Sequence, residues 1–187
     1  MAGGALHVLS AAAIFLLLLV PHGRLAAATP SSPLLHYKCA IYAAGDRPSC
    51  YNYCVRMLRS DRASATADAG DLAVIAARIA RATAKATDDK IARLQGAETV
   101  PAWRDGLAVC AAEYAAAVRR LGRASKDDAH GVAPERQEAL RLLGQVLGAP
   151  ERCQVAFEAV AGRQGLPPMS SADWDLDDIV GLVIAIL

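Results

Sequence analysis

The sequence predicts an all-α protein: an up-and-down four-helix bundle preceded by an N-terminal helical hairpin and stapled by two disulfides. Three observations carry this expectation. The chain is rich in alanine and poor in aromatic residues, which make up 5% of it, a composition that favours helix over strand. Beyond residue 70, apolar positions recur in steps of three and four, the period of an amphipathic helix. All five cysteines lie behind an apolar leader, as suits a protein matured in an oxidising compartment.

The leader comes first. Ile14 to Val20 is an apolar run containing Leu16-Leu17-Leu18-Leu19, followed by Pro21, Gly23 and Ala26-Ala27-Ala28. A short apolar core followed by small residues reads as a secretory signal peptide, although no Lys or Arg precedes Arg24. A membrane span would need about 20 apolar residues. Residues 1–28 are therefore expected to be removed, leaving one domain over 29–187, secreted to the extracellular space. Arg24 is the only charged residue in the leader, so the mature chain is close to neutral. That argues against capture of nucleic acid or of an anionic membrane by net charge. The only asparagine, Asn52, precedes Tyr53 and Cys54, which is no ordinary glycosylation sequon.

The hairpin is expected over residues 34–60. Leu34 to Ala43 reads as a short helix, Gly45-Asp46-Arg47-Pro48 as a turn, and Cys50 to Leu58 as a second short helix. Helices this short are marginal alone, so a disulfide across the pair would supply what a core does not.

The bundle follows over 70–187. Leu72, Ile75, Ile79, Ile91 and Leu94 mark its first helix, with Gly96 placed to end it. Pro101, a favourable first-turn residue, opens the second, whose stripe is Trp103, Leu107, Cys110, Tyr114, Val118 and Leu121. Trp103 and Tyr114 are thus expected in the core, and Gly122 is expected to stop the helix. Residues 123–133 read as a polar loop. A third helix begins near Pro134 and carries Leu140, Leu143, Val146 or Leu147, Cys153, Phe157 and Val160, with Gly148 and Pro150 set to kink or break it. After the Gly165-Leu166-Pro167-Pro168 linker, Ser171 is expected to cap a last helix with Leu176, Ile179, Val180, Val183 and Leu187 on one face. Four amphipathic helices with short connections are best satisfied by an antiparallel bundle.

Catalytic and metal chemistry find little footing. His36 and His130 are the histidines beyond the leader, and neither belongs to a nucleophile elbow or an HExxH pair. Asp173-Trp174-Asp175-Leu176-Asp177-Asp178 resembles the start of a calcium loop, but that loop would want Gly at 178 and Glu at 184, which are Asp and Ile. Those acids read better as partners of a helix N-terminus, and Asp88-Asp89 and Asp127-Asp128 as solvated turns or helix faces. Ile179 to Leu187 is too short, and too poorly spaced, for a lipid-anchor signal.

The segment Cys54-Val55-Arg56-Met57-Leu58-Arg59-Ser60-Asp61, with Ser64-Ala65-Thr66-Ala67-Asp68 and Leu72-Ala73-Val74-Ile75-Ala76, resembles the plant invertase and pectin methylesterase inhibitor family. So does Cys110-Ala111-Ala112-Glu113-Tyr114-Ala115-Ala116-Ala117-Val118 with the later Cys153 and Phe157. The resemblance spans residues 34 to 187. It implies the hairpin-plus-bundle fold, one disulfide in each part, no cofactor, and inhibition of a cell-wall enzyme in the apoplast by covering its active-site cleft rather than catalysis. Members that block acid invertase often carry Pro-Lys-Phe between the second and third bundle helices. This chain has Ser125-Lys126-Asp127-Asp128-Ala129-His130-Gly131-Val132 there, which favours pectin methylesterase as the partner over acid invertase. A non-inhibitory extracellular binding module is the other reading.

The chain departs from the family's four cysteines by adding Cys50. The family pattern pairs Cys39 with Cys54 and Cys110 with Cys153, leaving Cys50 free. Spacing agrees for the hairpin. About a turn centred near Asp46, Cys39 lies opposite Tyr53, beside Cys54, whereas Cys50 lies nearer Tyr42. Cys50 is also one helical turn from Cys54, on a similar face, so exchange between the two stays open. On a chain-entropy basis the 39–54 loop contributes roughly 3 kcal/mol and the 110–153 loop roughly 4 kcal/mol. The sequence does not locate the target-binding surface. Exposed candidates are Lys85, Thr87, Asp88, Lys90 and Arg93 on the first bundle helix, and Glu113, Arg119 and Arg120 on the second.

Overall fold

In the computed structural model, which describes residues 32–44, 48–127, 133–161 and 170–187, every extended element among those residues is helical. The leader with its cleavage site, the Gly45–Arg47 turn, His130 and the Gly165–Pro168 linker lie outside the described residues.

Two short helices come first, α1 (Pro33–Ala43) and α2 (Pro48–Arg59). Ser32 caps α1, its Oγ accepting from the Leu34 amide at 3.2 Å, with Pro33 in the first turn. A 3-10 turn, Arg62–Ala65, leads into the bundle, and the carboxylate of Asp61 caps it by accepting from the Ala63 amide at 2.9 Å.

The first bundle helix, α3, runs Ala69–Ala97, and the Asp68 carboxylate caps it by accepting from the Asp71 amide at 2.8 Å. It passes through Gly96, which was expected to end it. The stop lies further on, because Pro101 biases Val100 to extended backbone. The Glu98 carboxylate accepts from the Thr99 and Val100 amides at 2.8 Å each. The buried stripe of α3 is centred on alanine: Ala73, Ala76, Ala77, Ala80 and Ala84 are buried along with Leu72, Ile75 and Ile91, while Ile79 and Leu94 are half-buried.

Helix α4 (Pro101–Asp127) lies along α3. Gly122 does not end it, and the first part of the expected 123–133 loop is helix. Leu121 and Ala124 are both buried on the stripe, so burial of that face continues past the glycine. The third arm is divided into α5 (Ala133–Leu147) and α6 (Ala149–Ala161), parted at Gly148. Its buried face is Ala139, Leu142, Leu143, Val146, Cys153 and Phe157. Leu140 and Val160, expected inside, are 38% and 44% exposed, because the stripe centres on 139, 142, 143 and 146 and Leu140 falls to one side. Helix α7 (Ser170–Ile186) starts one residue before the expected cap Ser171, and its Leu176, Ile179, Val180, Leu182, Val183 and Ile186 are buried.

Helix α3 packs on α4 and α7, α4 on α5 and α6, and α5 on α7, which closes the four-armed bundle. The hairpin is not an appendage: α1 packs on α7 and α2 on α3, and Leu35, Cys39, Cys54 and Leu58 join the same apolar core.

Helix α6 is pressed close against α4 at Gly106. A Cβ there would stand 2.8 Å from Phe157 Cδ2, 3.0 Å from Val160 Cγ2 and 3.3 Å from the Phe157 Cα. Gly144, in the last turn of α5, is open by contrast: a Cβ at that position would meet nothing within 4 Å. The two glycines therefore predict opposite outcomes in urea or thermal unfolding. Gly106→Ala should destabilise by about 1–3 kcal/mol through overpacking. Gly144→Ala should stabilise by about 0.5–1 kcal/mol through helix propensity. A neutral Gly106→Ala would contradict the close approach.

Candidate target-binding surface

The two bridges fix the elements that any surface must ride on. Cys39 and Cys54 join α1 to α2 with their Cα atoms 5.5 Å apart, and Cys110 and Cys153 join α4 to α6 at 4.4 Å. Both bridges are buried, while Cys50 is a half-buried free thiol.

Around the second bridge runs a continuous seam. Trp103 meets Phe157 edge-on, ring centroids 5.7 Å apart. Gly106 admits Phe157, the disulfide follows one turn on, and the Arg152 guanidinium donates to the Glu113 carboxylate at 2.9 Å. Trp103 is not the core residue its spacing suggested. It is 37% exposed, because it sits at the rim of the seam with one edge on Phe157. Tyr114 is fully buried.

The hairpin is held to α7 by polar side chains on backbone carbonyls. Lys38 Nζ donates to Ile186 O at 2.8 Å, Tyr42 to Asp178 O at 3.0 Å and Tyr53 to Asp175 O at 3.3 Å. Lys38 thereby places a cation at the negative end of the α7 dipole. Burial, reinforced by the Asp175 and Asp178 carboxylates, pushes the Tyr53 phenol well above its ordinary range. His36 Nδ1 lies 2.7 Å from the Tyr51 hydroxyl, across the hairpin.

Of the acids in the Asp173–Asp178 run, Asp173 lies in the first turn of α7, as expected, and the others do not. Helix α7 begins at Ser170, so Asp175, Asp177 and Asp178 sit beyond the first turn, where the helix dipole is weak. Among the described residues no three His, Cys, Asp or Glu side chains are grouped to hold a metal ion. Asp89 is ion-paired with Lys85 one turn back, and Asp128 lies outside the described residues.

The candidate contact residues fall in different places. Thr87 is buried, 3% exposed, with its hydroxyl donating to Thr83 O at 3.2 Å; its small size and back-bonding seat it in the α3 stripe, so it cannot meet a partner. Lys85 and Arg93 are exposed, while Asp88 and Lys90 are half-buried. Glu113 is committed to Arg152. Arg119 is exposed, whereas Arg120 is half-buried with its Nη1 enclosed by protein and no hydrogen-bond partner among the described residues.

Arg119 belongs to a feature that the sequence did not single out. An open groove of about 620 Å³ between α3 and α4 is lined by Arg81, Val118, Arg119, Gly122 and Arg123. A Cβ on Gly122 would lie 3.4 Å from Arg81 Nε and 3.5 Å from its Cζ. The Arg81 guanidinium thus lies beside Gly122, at a distance where a Cβ would make ordinary contact. The i, i+4 spacing of Arg119 and Arg123 is visible in the sequence; the arrival of Arg81 from another helix is not.

A helical hairpin bridged within itself and lying on a bridged, four-armed bundle defines a class of small disulfide-bonded helical proteins. The profile of the plant invertase/pectin methylesterase inhibitor family matches residues 38–186, and the chain belongs to that family. Its members are inhibitors rather than enzymes. Among solved structures the chain is similar to a pectin methylesterase inhibitor from Arabidopsis thaliana, at 17% identity and a TM-score of 0.57, over 80% of this chain and 93% of that one. That likeness establishes the shared helical fold. No curated protein sequence matches the chain.

Non-reduced peptide mapping should recover Cys39–Cys54 and Cys110–Cys153 as the major bridged peptides, with Cys50 alkylated. A dominant Cys39–Cys50 peptide, or a bridge between hairpin and bundle, would contradict the assignment.

Proposed function

We propose that the chain is a secreted, non-catalytic inhibitor of a plant cell-wall pectin methylesterase, acting by stoichiometric association over the enzyme's active-site cleft. Membership of the inhibitor family over residues 38–186 carries the reading. The choice of target rests on the segment following α4, where Pro-Lys-Phe is missing. Buried bridges in both halves suit a protein that works outside the cell. No helix among the described residues is long and apolar enough to cross a membrane. We place signal cleavage near Ala28, and N-terminal sequencing of the exported protein should begin close to Thr29.

Such an inhibitor needs no acid, base or nucleophile of its own. It needs a rigid surface whose binding entropy is already spent on folding, because ordering side chains and loops at an interface subtracts from affinity. Bridged helices meet that requirement.

The test is to titrate the purified mature protein against a plant pectin methylesterase and, in parallel, an acid invertase. Esterase activity should fall linearly to a plateau near one equivalent, reversibly and without consumption of the inhibitor, while invertase is spared. Inhibition of invertase alone would transfer the target. Inhibition of neither would leave the chain a non-inhibitory binding module.

A further inference from the structure

From the α3–α4 groove we infer a second binding site, for the carboxylate groups of de-esterified pectin, the product of the enzyme this protein is proposed to inhibit. The ligand's identity rests on that functional reading; the groove does not.

Three arginines from two helices line this groove, and none of them forms an ion pair among the described residues. The positions three and four residues from Arg81 on α3 are Ala77, Arg78, Ala84 and Lys85. Arg78 is spent on Asp61 and Lys85 on Asp89. The corresponding positions around Arg119 are Ala115, Ala116, Gly122 and Arg123. Neither arginine has a carboxylate at those positions, whereas Arg123 has Asp127 four residues on; like charges at i, i+4, as at Arg119 and Arg123, are unfavourable. Arg123 feels the Glu138 carboxylate, but Glu138 is engaged by Arg141 through two bonds of 2.6 Å.

The geometry suits planar anions. Guanidinium groups bind carboxylates bidentately, which an ammonium cannot do, and lysine is absent from the lining. Arg81 reaches the groove beside Gly122. A short run of sugars bearing carboxylates suits such a lining. The whole-molecule field is not responsible, since the formal net charge is only +1. The methyl ester that the esterase removes is neutral and cannot pair with arginine, so the site would distinguish product from substrate.

Binding is measured by calorimetric titration of the purified protein with three oligosaccharides of equal length: de-esterified oligogalacturonate, its fully methyl-esterified form, and a sulfated oligosaccharide. The de-esterified form should bind, more weakly as salt rises, and the esterified form should not. The R119Q/R123Q double variant should bind about tenfold more weakly or worse. Gly122→Glu, which sets a carboxylate against Arg81, should do the same independently, while Arg59→Gln on the hairpin should have no effect. Circular dichroism confirms that each variant is folded. Equal binding of the esterified form, equal binding of the sulfated one, or indifference to both groove variants would overturn the site. Esterase inhibition is assayed on the same samples. A wild-type protein that binds oligogalacturonate without inhibiting keeps the site and loses the inhibitor reading. One that inhibits without binding it loses the site. If the groove variants abolish inhibition and the wild type binds no sugar, the arginines belong to the enzyme interface instead.

Discussion

The structure depends first on the seam between α4 and α6. Helix α6 has 13 residues, a length at which an isolated helix is marginal in water. It is separated from α5 at Gly148 and so cannot lean on a longer helix. Its place is fixed by α4: Phe157 against Gly106 and Trp103, Cys153 bonded to Cys110, and Arg152 on Glu113. The absence of a side chain at Gly106 and the short bridge express one constraint, that the two backbones come close. With α6 held, the third arm is complete and α7 has the apolar surroundings its buried face requires.

The hairpin solves a related problem differently. Its two helices have 11 and 12 residues and bury only a few large side chains. The Cys39–Cys54 bridge removes conformations from the unfolded chain, while Lys38, Tyr42 and Tyr53 bind carbonyls of α7. Because those carbonyls belong to the bundle's last helix, hairpin and bundle share one core. Neither bridge crosses between the two parts; packing and hydrogen bonds join them.

The architecture was legible because helical spacing survives in one sequence: Leu72 to Leu94, Trp103 to Leu121 and Leu176 to Val183 all carry it. Glycine was the poorest guide. Gly96, Gly122 and Gly148 look alike as punctuation, yet only Gly148 parts two helices; Gly122 lies inside a helix beside Arg81, a residue of another helix. The alanine-centred face of α3 also hid Thr87, which looked like surface beside Lys85 and Asp88 and is core. Leu140 and Val160 misled in the opposite sense, because hydrophobic character does not say which side of the stripe a residue lies on. Candidate contact residues could be named by exposure, but a groove assembled from two helices has no sequence signature. The family likeness reached the fold and the class of activity; the target lies in surface detail that a shared fold does not determine.

If rigidity imposed by the two bridges is what makes this surface fit an enzyme, complex formation must depend on them. Native mass spectrometry of the mature protein mixed with a pectin methylesterase tests this most directly, before and after reduction of both bridges. The account predicts a one-to-one complex with the oxidised protein that is lost on full reduction. A complex that persists with both bridges reduced, or none with the oxidised protein, would contradict it.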